Sequence, residues 1–289
     1  MAEQITAAMV KELRERTSAG MMECKKALVE ANGNMELAED IIAKSGHKKA
    51  AKTANRTAAE GRIIIANTQE GAAMVEVNCE TDFVARDESF IQFCQQVVDT
   101  ASQNKIADVE QLNEKMEESR KSLIARLGEN IQIRRLFFLK KSTGQFIGSY
   151  IHHARIGTLI LLEGGNEVLA KDLAMHVAAM KPQYMTTDEV PQDIVAKEKE
   201  ILIERAKQSG KPDNILEKIV AGQLQKHLSE ICLTGQPFFK DPDQTIAALL
   251  KTHQAKLLKM IRIEVGEGIE VIKKSFEEEV KAARGSSQP

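Results

Sequence analysis

Val75-Glu76-Val77-Asn78-Cys79-Glu80-Thr81-Asp82-Phe83-Val84-Ala85-Arg86 carries two hydrophobic periods in succession, and the rest of the chain is placed from the point where one gives way to the other. Met74, Glu76 and Asn78 alternate with Val75, Val77 and Cys79, the period-2 pattern of a half-buried strand. The alternation breaks at Thr81-Asp82, either of which can accept from the free N–H groups of a helix start. From Phe83 the apolar residues fall at helical spacing through Phe90, Ile91, Cys94, Val97 and Val98, which predicts a helix over 83–101. A strand that runs directly into a helix lifts the corner residues out of the packed layers. Phe83 stands at that corner, flanked by Asp82 and Arg86. Two readings of it are open: it folds back as a staple on its own helix, or it projects with Asp82 toward a partner.

Upstream, Thr6 can cap a helix carrying Met9, Val10 and Leu13. A second helix over 22–31 turns Cys24, Ala27 and Leu28 inward and stops at Asn32-Gly33. Asn34 caps a third, with Leu37, Ala38, Ile41 and Ile42 inward, closed by Gly46. These make a minimal three-helix bundle. Met21 and Met22 sit at a helix entrance, where at least one is expected to fill the small core, although flexible Met side chains also suit a binding surface. The linker 44–62 is basic, with Lys44, Lys48, Lys49, Lys52, Arg56 and Arg62 against Glu60. A solvated helix or tether explains it better than an RNA contact, because no aromatic interleaves for base stacking.

Around the corner the pattern occurs twice. Residues 62–67 and 73–79 read as a hairpin closed at Gln69-Glu70-Gly71, followed by the corner helix, a helix over 110–127 and a strand over 131–140. Strands over 146–153 and 158–163 then lead through Gly164-Gly165-Asn166 into a second helix with Leu169, Leu173, His176 and Val177. A strand over 257–265 should rejoin that second sheet. Laid on each other, Val84-Ala85-Arg86-Asp87 falls on Leu169-Ala170-Lys171-Asp172, a weak repeat that suggests two similar halves. Between them, 191–208 and 213–229 are charged helices with narrow apolar seams, joined by a turn at 209–213. This predicts an antiparallel hairpin or coiled coil without a core of its own. Ile269, Val271, Ile272, Phe276 and Val280 make 269–284 an amphipathic helix. The predicted fold class is α+β.

Composition narrows function by exclusion. The 289 residues include 43% hydrophobic and only 4% aromatic residues with no Trp, so a helix-rich chain with a real core is expected. A net charge of −2 argues against wholesale nucleic-acid binding. No apolar run reaches the roughly 18 residues of a membrane span, and no signal-peptide core is evident. The four cysteines lack a CxxC pair, which suits buried thiols in the cytoplasm and neither disulfides nor zinc. Adjacent His152 and His153 would point to opposite faces of a strand, one buried and one exposed, and so share no metal. Gly266-Glu267-Gly268 lacks the strand–loop–helix setting of a phosphate loop, and no P-loop, HExxH or nucleophile motif occurs. The chain does not read as an enzyme, and no cofactor is called for.

Thr81-Asp82-Phe83-Val84-Ala85-Arg86-Asp87 resembles the signature of bacterial elongation factor Ts, the family of guanine-nucleotide exchange factors for elongation factor Tu. Residues 12–28, from Glu12-Leu13-Arg14 through Gly20-Met21-Met22 to Lys26-Ala27-Leu28, are similar to a second family segment. Tyr150-Ile151-His152-His153-Ala154-Arg155-Ile156-Gly157 and Leu233-Thr234-Gly235-Gln236-Pro237-Phe238-Phe239 are similar to two more. The resemblance spans nearly the whole chain, with the motifs in order. It implies a UBA-like N-terminal domain with the basic linker (1–56), core subdomains at 57–141 and at 142–182 plus 230–265, each with an antiparallel sheet, a dimerisation arm at 183–229, and a C-terminal helical module at 266–289. It implies that Thr81, Asp82, Phe83 and Val84 dislodge Mg²⁺ from elongation factor Tu, with Phe83 as a wedge. Leu13, Met21, Met22 and His152 are carried over as further contacts with that partner, in its GDP-bound and nucleotide-free states, and His153 receives no role. The competing reading is an RNA- or ribosome-associated helical adaptor using the basic linker and the arm, without exchange activity.

Overall fold

The computed structural model describes residues 5–17, 19–207 and 213–270. Three helices come first: α1 (Ala7–Thr17), α2 (Met21–Glu30) and α3 (Met35–Thr53). Strands β1 (Glu60–Asn67) and β2 (Gly71–Cys79) lead into a single turn, α4 (Asp82–Ala85), then α5 (Glu88–Gln103), α6 (Val109–Leu127) and β3 (Gln132–Lys140). Next are β4 (Gln145–His152), β5 (Ile156–Glu163), α7 (Glu167–Met180), α8 (Gln192–Lys207) and α9 (Asp213–Ile231). A short ribbon of β6 (Pro237–Phe238) and β7 (Asp241–Thr245), α10 (Ile246–Thr252) and β8 (Lys256–Glu264) follow. The fold is α+β. The helix expected over 269–284 and the turn at 209–213 fall largely outside the described residues.

Both main sheets are built by one recipe. A hairpin is followed by a helical excursion, after which a third strand returns to the second strand of the hairpin, giving the orders β1-β2-β3 and β4-β5-β8, antiparallel throughout. The sheets lie face to face, with Ile63, Met74, Leu139, Leu159 and Ile263 buried between them. On the outer face of the first sheet, Val75, Val77 and Cys79 pack against Phe90, Cys94 and Val97 of α5 and Leu112 and Ile124 of α6. On the second, Ile160 and Leu162 pack against Leu169, Leu173 and Val177 of α7 and Leu250 of α10. The layers therefore run helix, sheet, sheet, helix.

This layering corrects the half-buried reading of β2, whose nine residues are buried on both faces. Alternation marked the helix-facing side correctly, but the polar-looking side faces the second sheet rather than water. Gly157 shows how close the sheets come: an added Cβ would stand 2.4 Å from Ile63 Cγ2 and 2.7 Å from Met74 Sδ.

The N-terminal bundle closes on Leu13, Cys24, Leu28 and Ala38, with Asn34 Oδ1 accepting from the Leu37 N–H at 3.0 Å to start α3. Gly46 does not end α3. The helix continues to Thr53 because it packs along α6, where a Gly46 side chain would come within 3.1 Å of Ala125 Cβ. Lys49 pairs with Glu23 at 2.8 Å and donates to the Ala125 carbonyl at 3.2 Å, tying the bundle to α6. Half of the expected linker is thus a docked helix. The helices α8 and α9 pack on each other through Leu202, Ala206 and Val220, while Ile194 near the start of α8 is exposed.

Candidate partner-binding corner

Thr81 leaves β2 in an extended conformation and becomes the N-cap of α4, its Oγ1 accepting from the Val84 N–H at 3.3 Å. The helix expected to run unbroken from Phe83 stops after one turn. Asp87 caps a fresh start, accepting from the N–H groups of Ser89 at 2.8 Å and Phe90 at 3.4 Å, and α5 proceeds from there. Those contacts, led by the Ser89 hydroxyl, hold the Asp87 carboxyl below its ordinary pKa. The Asp-x-Ser-Phe capping pattern was present in the sequence, overshadowed by the continuous apolar spacing.

The break gives α4 two faces. Val84 and Ala85 turn inward onto the first core, while Phe83 is 82% exposed. The staple reading of Phe83 is thereby removed. Asp82 beside it is partly exposed and reaches Arg86 at 3.0 Å across the turn, a pair of two solvated side chains that orients more than it stabilises.

A residue distant in sequence holds this turn from beneath. Glu129, between α6 and β3, accepts from the Glu80 N–H at 2.9 Å, the Thr81 N–H at 3.0 Å and the Thr81 hydroxyl at 2.6 Å. Glu80 answers by accepting from the Asn130 N–H at 2.7 Å. Asn130 Nδ2 donates to the carbonyls of Ala54 at 3.2 Å and Arg56 at 2.7 Å, in the chain leaving the bundle. Arg62 Nη1 closes the other side at 3.1 Å from the Ala85 carbonyl. Sequence reading missed Glu129, Glu80 and Asn130, since a Gly-Glu-Asn turn carries no local sign of a contact made so far along the chain.

His152 ends β4 on the other sheet. It and His153 are both exposed, with rings 4.2 Å apart edge to face, which corrects the expectation of one buried and one exposed histidine. The strand stops at His152, and His153 and Ala154 adopt left-handed conformations at φ 49° and 58° to form the turn. Contacts with the first sheet hold that turn: the Ile63 N–H donates to the Ala154 carbonyl at 2.8 Å, and Arg155 pairs with Glu60. His152 Nδ1 lies 3.2 Å from the Tyr150 hydroxyl.

Met21 and Met22 are 60% and 67% exposed, so neither fills the bundle core, which Cys24, Ala27 and Leu28 already supply from α2. Leu13, carried over with them, is fully buried in the bundle core, on the side of α1 turned toward α2 and α3.

The family model described as Elongation factor TS matches residues 80–267, from the residue before Thr81 to beyond the last described strand. The chain belongs to the elongation factor Ts family. Elongation factor Ts of Photorhabdus laumondii subsp. laumondii is 54% identical over 280 residues, covering 96% of this chain and 98% of that protein. Elongation factor Ts of Pseudoalteromonas atlantica is 50% identical over 290 residues, covering 98% and 99%. Elongation factor Ts of Yersinia pestis is 51% identical over 280 residues, covering 96% and 97%.

What this member of the elongation factor Ts family displays at the corner is shape and charge, a phenyl ring and a carboxylate on an anchored turn. Burial pushes the nearby Cys79 thiol up to about 12, helped by the Glu129 and Glu60 carboxylates, and burial likewise raises Cys94 against the opposing charge of Arg62. Among the described residues, no group of three or more His, Cys, Asp or Glu is placed to hold a metal ion, and no helix is long and apolar enough to cross a membrane.

Proposed function

We propose that this chain is a guanine-nucleotide exchange factor for elongation factor Tu. On this reading it promotes GDP release by disturbing the Mg²⁺ and phosphate site, so that GTP can bind during translation elongation. The observation that carries the proposal is Phe83, a large apolar side chain 82% exposed on a turn whose backbone is tied down on several sides. An exposed aromatic on a pre-ordered turn is what a contact anchor requires.

The mechanism needs no catalytic residue and the protein is not an enzyme. A GTPase grips GDP through backbone amides, a lysine and a Mg²⁺ shared between protein and phosphate oxygens. A factor that binds the nucleotide-free state better than the GDP-bound state must, by linkage, weaken GDP as much as GDP weakens it. Phe83 is the wedge, directed by Asp82 and backed by Thr81 and Val84. Met21 and Met22 on a UBA-like bundle, and His152 at the end of β4, are further contacts with elongation factor Tu. The domain division that fits is 1–56, 57–141, 142–182 with 230–265, 183–229 and 266–289. In it, α8 and α9 form an antiparallel coiled-coil arm that supports self-association, and the protein works in the cytoplasm. The RNA-adaptor reading loses ground, because Lys49 and Arg56 of the basic stretch are paired with Glu23 and Glu80.

The test is the release rate of fluorescent GDP from elongation factor Tu. The wild-type chain should accelerate release in a concentration-dependent way. Phe83→Ala should lose much of the maximal rate while keeping its fold, since truncating an anchoring aromatic commonly removes about 2 kcal/mol or more. No acceleration by a folded wild-type chain, with an active partner, would overturn the proposal.

A further inference from the structure

We infer that Glu129 is the positioning residue of the Thr81–Val84 corner, setting the fraction of molecules whose Phe83 is ready to engage; the inference rests on the exchange reading above. The N–H groups of Glu80 and Thr81 fall in a gap. The pairing of β2 ends at Asn78 with β3 and at Cys79 with β1, and the internal bonds of α4 have not yet begun. Both N–H groups are therefore orphan donors at a helix start. One oxygen of Glu129 takes the pair, at 2.9 and 3.0 Å, and its other oxygen takes the Thr81 hydroxyl at 2.6 Å. With its proton committed to Glu129, the Thr81 hydroxyl presents a lone pair to the Val84 N–H, 3.3 Å away. The carboxylate thus sets the polarity of the N-cap as well as the path of the backbone.

The contact is reciprocal, which makes it a junction between two chain crossings rather than a lone bond. Glu80 accepts from the Asn130 N–H at 2.7 Å while Glu129 accepts from the Glu80 N–H. Asn130 extends the junction to the carbonyls of Ala54 and Arg56, so the bundle carrying Met21 and Met22 hangs from the same turn as Phe83.

Removing Glu129 should free the corner without touching the phenyl ring. A looser corner lowers the engagement-competent fraction and raises the half-saturating concentration by the inverse of that fraction. Once bound, the ring occupies the same place, so the maximal rate should hold. Loss of Phe83 does the opposite and lowers the maximal rate. We would titrate Glu129→Ala, Glu129→Gln and Phe83→Ala against elongation factor Tu loaded with fluorescent GDP, below the melting temperature of each variant. Amide hydrogen exchange at Glu80, Thr81 and Val84 would be followed in the free proteins. Glu129→Ala should raise half-saturation about ten-fold with a maximal rate within about two-fold of wild type, and should speed exchange at those amides; Glu129→Gln, which keeps one acceptor, should fall between. Unchanged half-saturation and unchanged amide exchange in Glu129→Ala, alongside a slowed Phe83→Ala, would overturn the inference. So would a lowered maximal rate without a shift in half-saturation, which would make Glu129 a direct contact. If the wild-type chain releases no GDP, the exchange reading fails, and the amide exchange, which needs no partner, still decides whether Glu129 holds the corner.

Discussion

Glu76→Ala is expected to destabilise the protein more than any exposed carboxylate substitution, although Glu76 reads in sequence as a polar residue on an open strand face. Its side chain is fully buried. It accepts from Arg134 Nη1 at 3.1 and 3.2 Å, from Arg135 Nε, from Asn78 Nδ2 at 3.1 Å and from the Gly266 N–H at 2.8 Å. Consecutive residues of a regular strand cannot both reach one side. Here the β2–β3 register slips between Glu76 and Val77, opposite Arg135 and Ile133, and Arg134 is the extra residue of that bulge. Both guanidinium groups also reach forward, Arg134 to the Glu267 carbonyl and Arg135 to the Glu264 carbonyl, where the chain leaves β8. Glu76 therefore ties the first sheet to the end of the second.

Truncating it deprives two guanidinium groups that are only 24% and 22% exposed of their shared carboxylate, leaving Arg135 with Glu267 at 3.5 Å, and frees the Gly266 N–H. Removing one partner from a buried ion pair commonly costs about 3–5 kcal/mol. The lower end applies, because both arginines keep a backbone acceptor and some solvent. About 3 kcal/mol corresponds to a fall in Tm of roughly 6–12 °C for a chain of this size class. Thermal melts followed by circular dichroism measure it directly. A companion variant combining Glu76→Leu, Arg134→Leu and Arg135→Met should recover most of the loss, since the penalty lies in the unpaired charges. A fall below about 2 °C in Glu76→Ala, or a triple variant no better than the single one, would mean that the cluster is solvated and ties nothing.

Two further outcomes follow from buried groups. Burial holds the His176 imidazole below its ordinary value of 6.5, against a smaller opposing contribution from its hydrogen bond to Gln236. Its Nε2 meets Gln236 Oε1 at 3.0 Å and its Nδ1 accepts from the Phe239 N–H at 3.4 Å, so a second ring proton would face a donor. The unfolded chain takes up that proton first. The stability it contributes should be complete above pH 6.5 and decline below it toward the lower folded value, seen as a urea midpoint that falls once the pH drops below 6.5 and that flattens in His176→Phe. With its thiol pushed up to about 12, Cys79 should resist iodoacetamide in the folded protein near pH 8 and react on denaturation. Rapid labelling of the native chain would show that the corner opens far more than its bonds imply.

Periodicity carried the fold a long way and failed where a second layer intervened. Val75, Val77 and Cys79 were legible as one face of β2, and the strand expected over 257–265 does rejoin the second sheet, as β8 beside β5. Glu76 and Asn78 misled because a polar side chain covered by another sheet looks the same in sequence as one in water. Phe83 was legible as a corner residue, with folding back and projecting both left open by the spacing; its exposure depended on Asp87 restarting the helix. Leu13 lies within a segment carried over for partner contact, and in the structure it fills the bundle core beneath Met21 and Met22. Glu129 left no local trace, because its contacts lie 48 and 49 residues away.

These misses share a physical cause that bears on the proposed mechanism. A wedge that must displace structure in its partner is useful only if the partner yields first, so free energy lost in ordering a slack corner is subtracted from the work done on the nucleotide site. The polar side chains placed out of reach of sequence patterns are the ones that remove slack. Glu129 and Glu80 fix the turn that carries Phe83, Asn130 hangs the bundle from that turn, and Glu76 fixes the sheet behind it against the sheet that carries His152. In an enzyme, carboxylates so placed would invite an acid–base reading. Here all three accept from backbone N–H groups, and two of them reach across to a separate segment of chain through reciprocal bonds. That is the chemistry of a rigid mount, with Glu76 fully buried and Glu80 and Glu129 partly buried.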